Sequence, residues 1–169
     1  MSKGIKKLIA CLKYLNIPLD LNSFHDRLKL QKVSFMLKNM GIGLNYEFRL
    51  YFYGVYSQEL YKDSLEFARG VLELKSGYRI NEDERAVLEK LNEALAENNE
   101  ALDVAVVIIY KNLVYEDTAK VIAEIKKIKP HLPEDEILEG INVAKRLLFK
   151  PEYFTDKIKQ ELELWDNVV

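Results

Sequence analysis

Apolar side chains recur along this chain every three or four residues, in blocks cut off by proline, glycine or asparagine, and a single stretch breaks the rhythm. Ile5, Leu8, Ile9, Leu12 and Leu15 predict an amphipathic helix over residues 3–15, stopped by Asn16-Ile17-Pro18. Leu28, Leu30, Val33, Phe35, Met36, Leu37 and Met40 predict a second helix, apolar on most sides, ending where Gly41 permits a left-handed cap. From Tyr46 the period drops to two. Tyr46, Phe48, Leu50 and Phe52 alternate with Glu47, Arg49, Tyr51 and Tyr53, the pattern of an aromatic-rich strand. Gly54-Val55-Tyr56 then turns the chain, and Ser57 is placed to cap a third helix running to about Arg69 and closed by Gly70. Residues 71–74 and 78–80, on either side of Ser76-Gly77, predict a short hairpin that pairs with the Tyr46 strand.

The remainder returns to helices. Asn81-Glu82-Asp83-Glu84 has the form of a capping box, and Ala86, Leu88, Leu91 and Leu95 continue that helix until Asn98-Asn99 breaks it. A more apolar helix over 101–113, where the core is expected to lie, is followed by one over 118–129 that stops at Pro130. Pro133 opens another, with Glu134, Asp135 and Glu136 in its first turn and Ile137, Ile141, Ala144 and Leu148 along its apolar face. Thr155 is placed to cap a last helix carrying Ile158, Leu162 and Trp165. With no linker or internal repeat, the expected fold class is mainly α: a compact multi-helix single domain over 1–169 with a small two- or three-stranded antiparallel sheet.

At 49% hydrophobic, 169 residues can fill a core without disulfides or metal. Cys11 is the only cysteine, which excludes an intramolecular disulfide and points to a reducing, cytoplasmic compartment. Lys6, Lys7 and Lys13 interrupt the apolar positions near the N-terminus, unlike a signal peptide, and no apolar run approaches the roughly 18 residues of a membrane span. The net charge of −2 hides an asymmetry, since residues 1–50 hold nine basic side chains against three acidic ones. If the first two helices bind nucleic acid, Lys6, Lys7, Lys13, Lys29 and Lys38, with Arg27, are the expected contacts; the same lysines serve solubility on amphipathic helices.

No catalytic constellation stands out. His25 and Asp26 are adjacent and so point in different directions from a helix, where Asp26 is the expected N-cap. Two isolated histidines, His25 and His131, and one distant cysteine give no metal-ligand spacing, so neither metal nor cofactor is expected. Gly41-Ile42-Gly43 lacks the third glycine of a phosphate loop and leads into a strand. Glu82, Asp83, Glu84, Glu89, Glu93, Glu97 and Glu100 read as a solvated acidic surface.

The densest polar signal is Arg27-Leu28-Lys29-Leu30-Gln31-Lys32, followed some twenty residues on by Tyr51-Phe52-Tyr53-Gly54-Val55-Tyr56-Ser57. Arg27 and Gln31 share a helix face, whereas Lys32 is rotated by about 100°. Two readings follow. The Gln31 carboxamide, with donors and an acceptor, ties down the irregular backbone around Gly54. Alternatively Arg27, Gln31, Lys32, Tyr53, Gly54, Tyr56 and Ser57 frame a binding cleft, with the tyrosines as amphipathic walls and Lys32 as a cation for phosphate or carboxylate. An enzyme on this chain would have to use Lys32, Tyr53 and Tyr56 there.

Arg27-x-x-x-Gln31-Lys32, the aromatic continuation through Phe35, Gly41, and then Tyr53-Gly54-Val55-Tyr56-Ser57-x-x-Leu60 resemble the YwgA-like family, which is similar in turn to the SocA-type antitoxin, or Panacea, domain. The likeness covers roughly 40 residues well. The chain departs from the family pattern at Val55, where proline is usual, and at Ser34, where tyrosine is common. The resemblance implies a helical domain with a small sheet and, as in some relatives, an adaptor or toxin-neutralising role. The expectation is therefore a non-catalytic module that binds a protein partner, a toxin among the candidates. The alternative is a nucleic-acid-binding domain, and self-association is left open.

Overall fold

A computed structural model of the chain describes residues 2–67, 70–96, 98–148 and 160. They form helices α1 (Lys3–Tyr14) and α2 (Phe24–Asn39), strands β1 (Arg49–Tyr51) and β2 (Gly54–Tyr56), and helices α3 (Gln58–Ser64), α4 (Glu82–Leu95), α5 (Asn99–Tyr110), α6 (Thr118–Ile128) and α7 (Glu134–Leu148). The architecture is mainly α with one small antiparallel sheet, as the periodicity predicts. Two compact units divide the chain, residues 1–93 and 94–169. The predicted helix after Thr155 falls outside the described residues. Among the described residues no helix is long and apolar enough to cross a membrane.

In the first unit, α1 buries Ile5, Leu8, Ile9 and Leu12 on one face, each such side chain contributing about 1.5–3 kcal/mol. Its start is fixed by Ser2, whose hydroxyl accepts the Ile5 amide at 3.2 Å. Its end is fixed by Asn16, which takes φ 52° while the Ile17 amide donates to the Leu12 carbonyl at 3.0 Å. The same closure ends α2: Gly41 takes φ 92°, and the Ile42 amide reaches the Leu37 carbonyl at 3.0 Å. Asparagine and glycine stand there because few other residues tolerate that conformation.

The start of α2 differs from expectation. Ser23, not Asp26, is the N-cap, accepting the Asp26 amide at 3.3 Å. The Asp26 carboxylate reaches back instead to accept the Asp20 amide at 2.7 Å, and the helix begins most of a turn earlier than a cap at Asp26 would place it. From Leu30 to Leu37 the helix is buried almost all round, including Gln31 and Ser34.

The strand over 46–53 shrinks to β1, which pairs with β2 in the register Arg49↔Tyr56, Leu50↔Val55 and Tyr51↔Gly54. Phe52 and Tyr53 are the turn. Neither has positive φ; that conformation falls on Gly54, at φ 125°. The predicted hairpin over 71–80 does not form. Residues Val71–Glu73 make a 3-10 turn against α1, which buries Val71 fully while leaving Leu72 and Glu73 outside. The Leu74 carbonyl accepts from the Lys13 ammonium at 2.9 Å, a partner that the edge of a hairpin would have had to give up. Helix α3 is likewise shorter than predicted, passing at Leu65 into a 3-10 turn that buries Phe67.

The capping box of α4 forms as predicted: the Glu84 amide donates to Asn81 Oδ1 at 2.8 Å, and the Asn81 amide donates to Glu84 Oε2 at 3.1 Å. Glu84 is not, however, part of a solvated acidic surface. Its carboxylate is buried, pairs with the Lys7 ammonium at 2.8 Å and accepts from the Tyr78 hydroxyl at 2.7 Å. Burial pushes this carboxyl up, but the bonds from Lys7, Tyr78 and Asn81 outweigh it and hold the group below the ordinary range. Cys11 lies buried nearby, and loss of hydration pushes its thiol up to about 12.

In the second unit, α5 buries nearly every residue from Ala101 to Ile109, α7 packs along it, and α6 touches both. Helix α5 closes on Asn112 (φ 56°), with the Leu113 amide on the Ile108 carbonyl at 2.9 Å. The close approach of α5 and α7 depends on Gly140. A Cβ built there lies 2.3 Å from Val104 Cγ1 and 3.1 Å from the Ala101 carbonyl oxygen.

Two tests follow. Gly140→Ala should destabilise by about 1–3 kcal/mol in urea unfolding through overpacking, although helix propensity alone favours alanine. Glu84, with its folded pKa depressed, contributes stability above its unfolded value near 4.5 and loses it as pH falls through the lower folded value. The urea midpoint should therefore drop on acidification below about pH 4.5, and Glu84→Gln should flatten that part of the profile.

Candidate functional site

The polar positions of α2 and the aromatic hairpin meet within the first unit. Gln31 is 4% exposed, and one residue engages both the nitrogen and the oxygen of its carboxamide: Nε2 donates to the Ser57 carbonyl at 3.1 Å, and Oε1 accepts the Ser57 amide at 2.7 Å. The side chain thus mimics a strand neighbour for Ser57, satisfying both backbone groups where β2 ends and α3 begins. Ser57, equally buried, caps α3 with its own hydroxyl, accepting the Leu60 amide at 3.2 Å. The tether predicted at Gly54 is realised three residues later, at the cap. Val55 is buried and paired with Leu50, a position that suits a β-branched residue.

In front of this clamp lies a cavity of about 410 Å³, within the usual range of ligand pockets. One wall is the α2 stripe of Phe24, Arg27, Leu28 and Gln31, at three- and four-residue spacing; the hairpin supplies Tyr51, Tyr53, Gly54, Val55 and Tyr56, and α3 adds Tyr61 and Ser64. The aromatic rings interlock. Phe24 meets Tyr53 edge-on at 5.3 Å, Tyr51 meets Tyr56 at 5.9 Å, and Tyr56 leans on Tyr61 at 6.4 Å. Arg27 is anchored by one Nη1 bond to the Leu21 carbonyl, 2.7 Å, and its guanidinium lies 5.8 Å from the Phe24 ring centre.

Of the sequence-derived set, Arg27, Gln31, Tyr53, Gly54 and Tyr56 line the cavity. Ser57 sits behind the clamp. Lys32 is half-buried on the neighbouring face of α2 and is not among the lining residues, as its rotation from Gln31 requires. Phe24, Tyr51 and Tyr61 are the lining aromatics that sequence reasoning missed. Phe24 follows from Ser23-x-x-Asp26: with the helix started at Phe24, residues 24, 27, 28 and 31 fall on one face.

The basic candidates for nucleic acid are differently placed. Lys7 is paired with Glu84, Lys13 donates to the Leu74 carbonyl, and Lys38 binds the Tyr46 carbonyl and lies 3.7 Å from Glu47. Lys6 is exposed and Lys29 half-buried. His25 is exposed, and among the described residues no group of three His, Cys, Asp or Glu side chains could hold a metal ion. A second cavity, of about 630 Å³ near the start of α1, mixes Lys3, Lys7 and Lys62 with Glu59 and Asp63 and so presents no single sign of charge.

No family model matches the chain, and no curated protein or solved structure was found to be similar to it.

Gln31→Ala leaves the buried Ser57 amide without an acceptor and should cost about 1–3 kcal/mol in chemical unfolding. Gln31→Glu keeps the acceptor but sets a carboxylate against the Ser57 carbonyl, so it should be no milder. Hydrogen exchange at the Ser57 and Leu60 amides should rise in both variants before exchange in α1 does.

Proposed function

We propose that this chain is a non-catalytic interaction module, antitoxin-like or adaptor in kind and of the YwgA-like type, acting in the cytoplasm and binding a protein partner through the face that carries the aromatic cavity. One observation carries the reading: an apolar aromatic surface kept exposed. Phe52 at the hairpin tip is 94% exposed, Tyr53 68%, Tyr51 56% and Phe24 52%, and these rings run from the tip into the cavity mouth. Water-exposed aromatic area of this kind is usually an interaction site. Tyrosine and arginine are also the residues that most often dominate binding energy.

The Gln31 clamp supports the same reading. It fixes the base of the hairpin to α2, so the rings are held in place before a partner arrives, and less ordering entropy is lost on binding. The resemblance over Arg27–Ser57, with its antitoxin-like relatives, adds the class of partner, a protein. The nucleic-acid reading has less to draw on, because Lys7, Lys13 and Lys38 direct their ammonium groups to acceptors within the first unit.

The test is affinity capture from cells that carry the gene, with the wild-type chain and a Phe52→Ala/Tyr53→Ala variant side by side. A stoichiometric protein partner should be retained by the wild type and lost by the variant, whose unfolding free energy falls by no more than about 1.5 kcal/mol because both rings are mostly exposed and lose only edge contacts. Equal recovery by the two chains would sink the assignment of this face.

A further inference from the structure

We infer that the partner segment received by this face is an extended acidic-apolar peptide: a hydrophobic or aromatic side chain enters the cavity, and a flanking carboxylate reaches the Arg27 guanidinium. The inference deepens the interaction-module reading above and rests on it. Among the described residues, Arg27 is the one charged side chain in the cavity lining. One of its N–H groups is spent on the Leu21 carbonyl, leaving the remaining donors of the planar fork for a carboxylate.

The other polar groups of the lining carry no charge, and the two that are not tyrosine hydroxyls are already engaged. Gln31 is closed onto Ser57, and the Ser64 hydroxyl donates to the Tyr61 carbonyl. What remains is an apolar hollow with a positive rim. The hairpin reinforces the sign, because Arg49 lies on the same side of β1 as Tyr51 and directly across from Tyr56, both of which line the cavity. A basic segment would set like charge against both guanidiniums at the cavity mouth.

The extent of the aromatic surface argues for a chain over a small molecule. A ligand that fills 410 Å³ leaves Phe52 uncovered at the tip, yet the Phe52 ring lies 5.1 Å from Tyr53, which in turn meets Phe24 at the cavity wall. Cavity and tip therefore form one continuous surface, which a few extended residues at roughly 3.3 Å each would cover.

The experiment titrates the full-length chain, labelled for amide NMR, with three blocked hexapeptides alternating phenylalanine with glutamate, glutamine or lysine, and with 3-phenylpropanoate. The glutamate peptide should move the amides of residues 51–56 and bind about tenfold more tightly than the glutamine peptide, with the lysine peptide weaker still. Arg27→Gln should remove that preference, bringing the glutamate and glutamine peptides to within about twofold of each other. Because Arg27 also holds the Leu21 carbonyl, the comparison of glutamate and glutamine peptides on the unaltered protein decides the matter even if the variant folds poorly. Equal affinity for the three peptides, no binding by any of them, or 3-phenylpropanoate binding as tightly as the glutamate peptide would overturn the inference. Failure here alongside a partner captured through Phe52 and Tyr53 leaves the interaction-module reading standing. Success here with no captured partner tells against that reading and not against the chemistry of the cavity.

Discussion

The candidate site depends on the two hydrogen bonds between the Gln31 carboxamide and the backbone of Ser57. A two-stranded hairpin of three-residue strands is marginal by itself, and its last residue would leave a buried amide and carbonyl unpaired at the join with α3. Gln31 supplies both partners from a helix buried almost all round, so its position is set by packing and not by the bond. The hairpin inherits that rigidity. The aromatic rings gain fixed places, and Ser57 is held where its hydroxyl can start α3.

That one contact couples three levels of organisation. Locally it replaces a missing strand neighbour. In packing terms it pins β2 to α2, which are in direct contact, and lets Val55 face inward. For function it separates two kinds of side chain on neighbouring faces of α2. The face of Arg27 and Gln31 looks into the cavity, and Lys32, one residue on, looks elsewhere. A cleft built around Lys32 as its cation would need a different rotation of the helix. The cavity that exists is apolar and aromatic, with Arg27 as its charge among the described residues.

Helices were largely legible because their signals are local. The Asn81-x-x-Glu84 box and the Gly41 stop work through atoms a few residues apart, and both formed as read. The failures share a cause. Residues 71–80 carry turn and strand-like composition, but the 3-10 turn at Val71–Glu73 is held by burial of Val71 and by Lys13, sixty-one residues away in sequence. Glu84 looked like one more surface glutamate until the Lys7 and Tyr78 side chains closed on it. Gly140 passed unnoticed because its reason is Val104 of another helix. Asp26 was misread for a smaller reason, since Ser23, three residues upstream of the expected cap, takes the cap first and frees the aspartate to bind Asp20.

The sequence by itself determined the number and rough extent of the helices through α7 and the grouping of Arg27, Gln31 and the tyrosine-glycine segment as one constellation, but it placed the turn at Gly54-Val55-Tyr56, which is strand β2, the turn itself lying at Phe52 and Tyr53. Periodicity, caps and breakers act within a turn or two of the chain, so they survive in the residue order. Tertiary structure decided which of those residues share a cavity, which lysines keep their charge for themselves, and where two helices touch closely enough to demand glycine. Those outcomes turn on distances between segments far apart in sequence, and residue order carries no direct record of such distances.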